Sequence, residues 1–174
     1  LPTVHEWSPE SPALYPTQIH FGEDTVRSYF GMRSFGVGKR PDGRAALLLN
    51  GRPYMHVGLL DQGYWSDGGY TAPSDEALEY DVALAKSMGY NMLRKHIKVE
   101  PMRWYHHCDR LGMLVWQDGV NGGGKYSKAL TQIPVVLPAK VSDHRYRLFA
   151  RGSEEGRDSF EVELKEMVDH LRGT

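Results

Sequence analysis

One stretch of the chain, residues 91–118, constrains the fold most, because its pattern predicts a strand, a helix and a second strand. Residues 92–97 form a short apolar run that gains charge towards its end. Pro101 suits the first turn of a helix, and Gly112 suits the left-handed position after the last turn. Residues 113–116 are a second apolar run. Two strands joined by one helix form a βαβ unit, so the strands are predicted to be parallel.

Polar side chains follow each of these two strands. In parallel sheets with helical crossovers, ligands bind at the C-terminal ends of the strands. This rule selects four candidate site residues before any family is considered: Arg94, His96, Gln117 and Asp118.

Composition excludes several classes of protein. The 21 Lys and Arg residues nearly balance the 22 Asp and Glu residues, so no basic field indicates nucleic acid or a membrane surface. No apolar run approaches the length of a membrane span, and no signal peptide is recognisable. The single cysteine, Cys108, lies on the predicted helix's apolar stripe and is interpreted as core. The chain begins with Leu-Pro, and we expect both ends to be cut from a longer protein.

The first part of the chain is predicted to be β-structure. Alternating apolar residues within 17–30, interrupted by a turn at 22–24, indicate a hairpin. One hairpin is marginal alone, so residues 1–43 are interpreted as the closing strands of a β-sandwich. The turn Pro41-Asp42-Gly43 is the expected boundary with a second domain, residues 44–174.

The second part is predicted to alternate strands and helices. Asn50-Gly51 indicates a hairpin, after which residues 56–60 are predicted to form a buried strand. Ser74 is expected to cap a helix that ends at Gly89. The helix is expected to present four apolar residues: Leu78, Val82, Ala85 and Met88.

After the βαβ unit comes an irregular stretch, residues 119–156, whose length indicates a functional or mobile loop. A last helix is predicted at 159–171. The whole order therefore contains three βα units. These fit either a doubly wound sheet or the first part of a (β/α)8 barrel, which needs eight units and about 250 residues.

Several motifs, in this order and spacing, resemble glycoside hydrolase family 2, the β-galactosidase, β-glucuronidase and β-mannosidase group. The matching segments are WSPESPALYP, YFGMRSF, LLLNGRPYMHVGLLDQGYW, NMLRKH and CDRLGMLVWQD. The resemblance implies an α/β fold: a partial (β/α)8 barrel preceded by the end of an immunoglobulin-like β-sandwich. The wording LDQGYW and RKHIKVEP resembles a poorly characterised branch of the family.

The resemblance also implies a retaining glycosidase, with an acid/base and a nucleophile carboxylate about 5 Å apart. In the family both are glutamates, at the ends of the fourth and seventh strands, and the first belongs to an Asn-Glu pair. No Asn-Glu pair occurs in this sequence. We therefore assign no catalytic residue and expect the chain by itself to be inactive, with no cofactor and no metal.

Five residues are predicted to bind the carbohydrate substrate. Arg94 matches the family's second-strand arginine, which would orient the nucleophile carboxylate and keep its pKa low; a purely structural ion pair is the alternative. His96 could donate to a sugar hydroxyl, although the family's histidine stands one residue later. Asp61 and Asp118 could accept from hydroxyls or merely cap helices. Trp65 could stack on a sugar face, as could Trp116, whose position also suits a core residue.

Two other motifs point elsewhere. Residues 119–125, GVNGGGK, nearly spell a phosphate-binding loop, but Tyr126 stands where Ser or Thr should bind Mg²⁺ and Pro134 interrupts the following helix. His106, His107, Cys108 and Asp109 have the composition of metal ligands. Adjacent residues on a helix cannot converge on one ion, so Cys108 is expected in the core and the histidines towards solvent.

The favoured interpretation is a piece of a retaining β-glycosidase. A non-catalytic carbohydrate-binding or interaction protein derived from such an enzyme is the alternative, and a nucleotide-binding protein ranks third. Three barrel strands leave two open edges, so we expect exposed apolar strand surface. The rest of a parent chain, or a homo-oligomer, is the partner expected to cover it.

Overall fold

A computed structural model describes residues 3–121, 124–125, 130, 132, 137, 142 and 144–173. The chain is a mixed α/β structure that divides into two compact units, residues 1–118 and 119–173. The first unit contains eight strands and two helices in the order β1 Tyr15–Phe21, β2 Asp24–Phe30, β3 Phe35–Lys39, β4 Ala45–Leu49, β5 Arg52–Pro53, β6 Gly58–Asp61, α1 Asp75–Ser87, β7 Met92–Lys95, α2 Met102–Leu111 and β8 Leu114–Gln117.

The hairpin predicted within residues 17–30 is confirmed. Strands β1 and β2 pair antiparallel as a two-stranded sheet, with Ile19 opposite Val26. Gly22 occupies the turn with φ of 61°, a left-handed conformation that glycine adopts without strain. The apolar side chains of this hairpin are largely exposed, and Phe21 is 87% exposed.

Strands β3, β4 and β5 form a second antiparallel sheet. The Asn50-Gly51 hairpin is confirmed, and both residues have positive φ (51° and 74°), as a primed turn between twisted strands requires. The turn at Pro41-Asp42-Gly43 is also present, and it joins β3 to β4. The division of the chain into domains 1–43 and 44–174 stays a prediction.

The βαβ unit is confirmed. Strands β6, β7 and β8 form one sheet in that order, and both pairings are parallel. Gly112 ends α2 in the left-handed conformation, with φ of 73°. Ser74 caps α1 by accepting a hydrogen bond from the Ala77 N–H at 3.2 Å, and Gly89 follows the helix with φ of 89°.

The core of the first unit draws on α1, α2 and the parallel strands. Its most buried apolar residues include Leu78, Val82, Leu93, Trp104, Cys108, Met113 and Leu114. Cys108 is therefore a core residue, as expected. The prediction for Met88 was wrong: it is 63% exposed, because α1 ends at the preceding residue and Met88 is only its C-terminal cap.

One face of the parallel sheet is uncovered in the described part of the chain. Leu60, Arg94 and Trp116 are side by side in the strand register, and all three are substantially exposed. The strand predicted at residues 56–60 is present as β6, Gly58–Asp61, but the prediction that it is buried was wrong. The residues are apolar, but burying them requires a covering layer over this face. The exposed apolar strand surface expected of an incomplete sheet is present.

The second unit contains a short 3₁₀ helix, Tyr146–Phe149, and the helix α3, Glu154–Leu171. The predicted start of the last helix at 159 was five residues late, because Ser153 caps the helix by accepting from the Gly156 N–H at 3.2 Å. Much of the irregular stretch 119–156, including two glycines of the GVNGGGK motif, lies outside the described residues. Among the helices that the structure describes, none is long and apolar enough to cross a membrane.

Candidate functional site

The C-terminal ends of the three parallel strands bring the predicted site residues to one edge of the sheet. Asp61 is the last residue of β6, Arg94 is the second-to-last residue of β7, and Asp118 directly follows β8. The three residues therefore lie at the same end of adjacent parallel strands, in the order first, second, third. Their role in substrate binding stays a prediction.

Arg94 and Asp118 form a two-pronged ion pair across the β7–β8 edge. The Arg94 Nε donates to Asp118 Oδ1 at 2.9 Å, and Nη2 donates to Oδ2 at 3.1 Å. The hydrogen bonds from Arg94 hold the pKa of the Asp118 carboxyl below its usual range, so the carboxylate is charged at neutral pH. Half of the Arg94 side chain is exposed. The pair therefore presents a polar, charged group to the uncovered side of the sheet.

Asp61 has a different partner and lies on the other side of the sheet from the Arg94–Asp118 pair. Neighbouring residues on a strand point to opposite faces, so Lys95 lies on the helix-covered face, and Asp61 is its register partner. The Lys95 Nζ donates to Asp61 Oδ2 at 2.7 Å. The other carboxylate oxygen, Oδ1, accepts from the Gly63 N–H at 2.9 Å. The structure thus brings Arg94 and Asp118 together and places Asp61 in a separate cluster.

That cluster has two lysines and two carboxylates. Lys95 is 1% exposed, its Nζ lies 3.0 Å from Glu100 Oε1, and it stands 4.1 Å above the Trp104 ring. Lys98 is 5% exposed, and its Nζ lies 2.8 Å from the same Glu100 oxygen. Buried lysines need such partners because desolvating an unpaired charge is expensive. The two positive and two negative charges balance.

Gln117 connects the β8 end to the segment after β7. Its Oε1 accepts from the Tyr105 hydroxyl at 2.6 Å, and its Nε2 donates to the Lys98 carbonyl at 2.8 Å. Burial raises the pKa of Tyr105 to about 12, so the hydroxyl stays protonated as this donation requires. Both ends of the Gln117 amide are therefore used to hold the segment between β7 and α2 in place.

His96 lies beside Gln62 at the β6–β7 edge. The Gln62 Nε2 and His96 Nδ1 atoms are 3.3 Å apart, and the His96 backbone N–H donates to the Asp61 carbonyl at 2.9 Å. Trp65 begins a small loop in which it exchanges two backbone hydrogen bonds with Gly69, at 2.8 and 2.9 Å. His96 thus lies at the C-terminal edge of the sheet, and Trp65 lies in the loop that follows β6.

Trp116 is held from the other end of the sheet. Its Nε1 donates to His56 Nδ1 at 2.9 Å, and the two rings meet edge to face with centroids 5.8 Å apart. Burial lowers the pKa of His56, which keeps the imidazole neutral and able to accept at Nδ1. Trp116 therefore lines the uncovered face as a fixed side chain.

The histidines of α2 do not form a metal site. His107 is 5% exposed, so the expectation that it faces solvent was wrong. It packs against α1, with Nε2 3.3 Å from Asp75 Oδ2 and Nδ1 3.7 Å from Glu79 Oε2. Those carboxylates were not visible as neighbours from the spacing within α2. Within the described ranges, no group of three or more His, Cys, Asp or Glu residues could hold a metal ion.

Sequence reasoning missed the lysine cluster. The segment RKHIKVEP contains Lys95, Lys98 and Glu100, but charged residues at the end of a strand usually indicate exposure to solvent. The available signal was the alternation itself. If Arg94 faces the ligand side, the next residue must face the helices, and a lysine there needs a buried carboxylate.

Comparisons with known proteins find similarity to glycosidases in sequence and in fold. No protein-family model matches the chain. A β-galactosidase from Oenococcus oeni is 30% identical over 148 residues, which cover 83% of this chain and 14% of that protein. A β-galacturonidase from Eisenbergiella tayi, solved with galacturonate bound, is 28% identical over 67% of this chain and 20% of its own, with a TM-score of 0.58.

A β-glucuronidase from Bacteroides uniformis shares the fold over 96% of this chain and 24% of its own, with a TM-score of 0.59 at 23% identity. The chain thus spans about one seventh of the length of the β-galactosidase it matches. Sequence relatives and structural neighbours are named alike as enzymes that cleave β-glycosides, and the E. tayi enzyme is named as a GH2 protein. In sequence and in fold, the chain is therefore similar to a part of the enzymes of glycoside hydrolase family 2.

Proposed function

We propose that this chain is the part of a retaining β-glycosidase that joins an immunoglobulin-like β-sandwich to the first three βα units of a (β/α)8 barrel. The observation that carries the proposal is the Arg94–Asp118 pair at the C-terminal edge of parallel strands. In (β/α)8 barrels this edge holds the active site, and the strand faces opposite the helices form the barrel interior. Arg94 and Trp116 occupy that face.

In this proposal Arg94 positions a catalytic carboxylate supplied by another part of the enzyme. Its guanidinium has five N–H donors, and the two bonds to Asp118 leave others for a further acceptor. A fixed cation beside the nucleophile keeps that carboxylate ionised and correctly turned for attack on the anomeric carbon. Asp118 in turn fixes the guanidinium in one orientation.

The remaining predicted residues surround this centre. Asp118, His96 and Trp65 supply acceptors, donors and an aromatic face to the sugar. The carboxylate of Asp61 is held by Lys95, so Asp61 acts mainly by fixing the strand end. The two catalytic glutamates are proposed to lie in parts of the enzyme beyond this chain, since no Asn-Glu pair occurs in the sequence. The substrate is a β-linked carbohydrate, and the galactoside and glucuronide names of the relatives supply the first sugars to test.

The test uses the full-length protein that contains this chain and a panel of aryl β-glycosides that includes galactoside and glucuronide. We expect hydrolysis of at least one, with the β-anomer of the sugar formed first in a proton NMR time course. Formation of the α-anomer first would contradict retention. The 174-residue chain alone should give no turnover above a blank. Sugar binding without hydrolysis by the folded full-length protein would favour the non-catalytic alternative.

A further inference from the structure

The buried lysine cluster has no role in the chemistry proposed above. It consists of Asp61, Lys95, Lys98 and Glu100, and we call it the lysine clamp. Buried ion pairs stabilise proteins weakly, because desolvation of the charges offsets most of their attraction. Two lysines and two carboxylates in the same small volume are therefore an unusual way to gain stability. A reason for these buried charges is found in the backbone segment that they bind.

The clamp is built around the backbone of Gly63. The Gly63 N–H donates to Asp61 Oδ1 at 2.9 Å, and the Gly63 carbonyl accepts from Lys98 Nζ at 2.7 Å. Gly63 has φ of 64°, and a Cβ atom there would lie 2.4 Å from Glu100 Oε1. Only glycine fits this position, both for its backbone conformation and for the space the charges leave. The peptide groups on both sides of Gly63 are thereby fixed.

Gln62 directly precedes Gly63, so the fixed peptide groups of Gly63 also hold the backbone of Gln62. Gln62 follows β6 directly and its side chain is exposed, with Nε2 3.3 Å from His96 Nδ1. The His96 N–H binds the Asp61 carbonyl, so the backbones that carry the two side chains are joined directly. An amide and an imidazole side by side offer both donors and acceptors, which suits adjacent hydroxyl groups of a sugar ring.

We propose that the lysine clamp is a positioning device that holds Gln62 and His96 as one hydrogen-bonding edge for sugar hydroxyls. This inference rests on the proposed function and adds Gln62 to the residues that determine sugar specificity. Lys95 and Lys98 act through the loop and do not touch the sugar. Lys95 therefore counts as a positioning residue, and Gln62 as the residue in contact.

The experiment measures KM, kcat and the melting temperature for variants of the full-length protein. Lys95→Met and Gln62→Ala should each raise KM by about three- to tenfold, the range of one lost hydrogen bond, with a smaller change in kcat. The double variant should raise KM no further than Lys95→Met alone, because the clamp and Gln62 act as one unit. Gln62→Ala should leave the melting temperature nearly unchanged.

Two further variants separate positioning from stability. Arg33→Met removes another largely buried ion pair, with Asp109 at 2.7 Å, and should lower the melting temperature without changing KM. If Lys95→Met fails to fold, Asp61→Asn combined with Lys95→Met removes one charge of each sign and leaves the Lys98–Glu100 pair intact. That variant should show the same rise in KM.

Several outcomes would overturn the inference. KM values unchanged in Lys95→Met and in the Asp61→Asn, Lys95→Met double variant would show that the clamp is only structural. An unchanged KM in Gln62→Ala would remove the sugar contact. Additive effects of Lys95→Met and Gln62→Ala would disconnect the clamp from the edge. Absence of hydrolysis by the wild-type protein would instead overturn the proposed function, and this role with it.

Discussion

At the scale of single residues, the site depends on which face of a strand each side chain occupies. Arg94 and Lys95 are adjacent, yet one is half exposed and paired with Asp118 while the other is buried and paired with Asp61. The first can meet a substrate and the second cannot. Two neighbouring cations therefore have different uses: Arg94 belongs to the proposed chemistry, and Lys95 to the support beneath it.

A residue-scale prediction concerns His56, whose pKa is lowered by burial. As the pH falls below about 6.5, the unfolded chain takes up a proton at this histidine before the folded chain does. Stability should therefore be lost as the pH falls through that window, and protonation should also break the bond from Trp116 Nε1 to Nδ1. The free energy of unfolding, measured in urea at pH 7.5 and 5.0, should fall more in wild type than in His56→Gln.

The control is His5→Gln, which replaces an exposed histidine of the same unit and leaves the His56–Trp116 contact in place. An equal pH dependence in wild type and His56→Gln would show that the imidazole does not resist protonation in the folded state.

At the scale of elements, the three parallel strands depend on a close approach at their beginning. Gly58, the first residue of β6, is opposite Met92 in the register, and a Cβ at Gly58 would lie only 1.9 Å from the Met92 carbonyl oxygen. Real Cβ atoms do not come so close to backbone, so any side chain here must push β6 away from β7. The candidate site lies at the opposite, C-terminal ends of the same strands.

We therefore expect Gly58→Ala to destabilise the protein by at least about 2 kcal/mol, in the upper part of the range for single substitutions. The matched control is Gly36→Ala in β3, where the new Cβ would make only ordinary contact, 3.8 Å from Leu48. Its effect should stay below about 1 kcal/mol. Urea unfolding of both variants measures the difference, and similar losses in the two would contradict the close β6–β7 approach.

Signals carried by a few adjacent residues predicted the elements well. Asn50-Gly51, Ser74 and Gly112 each specify a local backbone conformation, and each is found where expected. Local signals fail where the outcome depends on a distant neighbour. His107 is buried against α1, where Asp75 and Glu79 lie within 4 Å of its ring, and the sequence of its own helix does not reveal this neighbour.

At the scale of the whole molecule, the same reasoning explains the candidate site. The C-terminal edge could be predicted, because parallel strands bring their ends together and Arg94 and Asp118 follow from that topology. The lysine clamp could not, since its members come from separate segments whose packing decides their partners. Strand β6 was expected to be buried from its apolar residues, yet Leu60 is 55% exposed. An apolar sequence predicts that a strand is buried, but it does not show which part of a protein would cover that strand.

Arg94 lies on the uncovered face of the parallel sheet, and we propose that it faces an active site and is not there to stabilise the fold. As a half-exposed ion pair, Arg94–Asp118 should contribute only about 0–1 kcal/mol to stability. Its proposed contact with a catalytic carboxylate should contribute much more to the rate.

The decisive measurement compares kcat/KM and melting temperature for Arg94→Met and Arg44→Met in the full-length protein. Arg44 serves as the control, because it also forms an exposed ion pair through Nε and Nη2, which both contact Asp42 Oδ2 on the β3–β4 turn. We predict that Arg94→Met lowers kcat/KM by at least about 100-fold while both melting temperatures stay close to wild type. If Arg94→Met retains wild-type kcat/KM, or loses activity only in proportion to lost folding, Arg94 is structural and the proposed site is wrong.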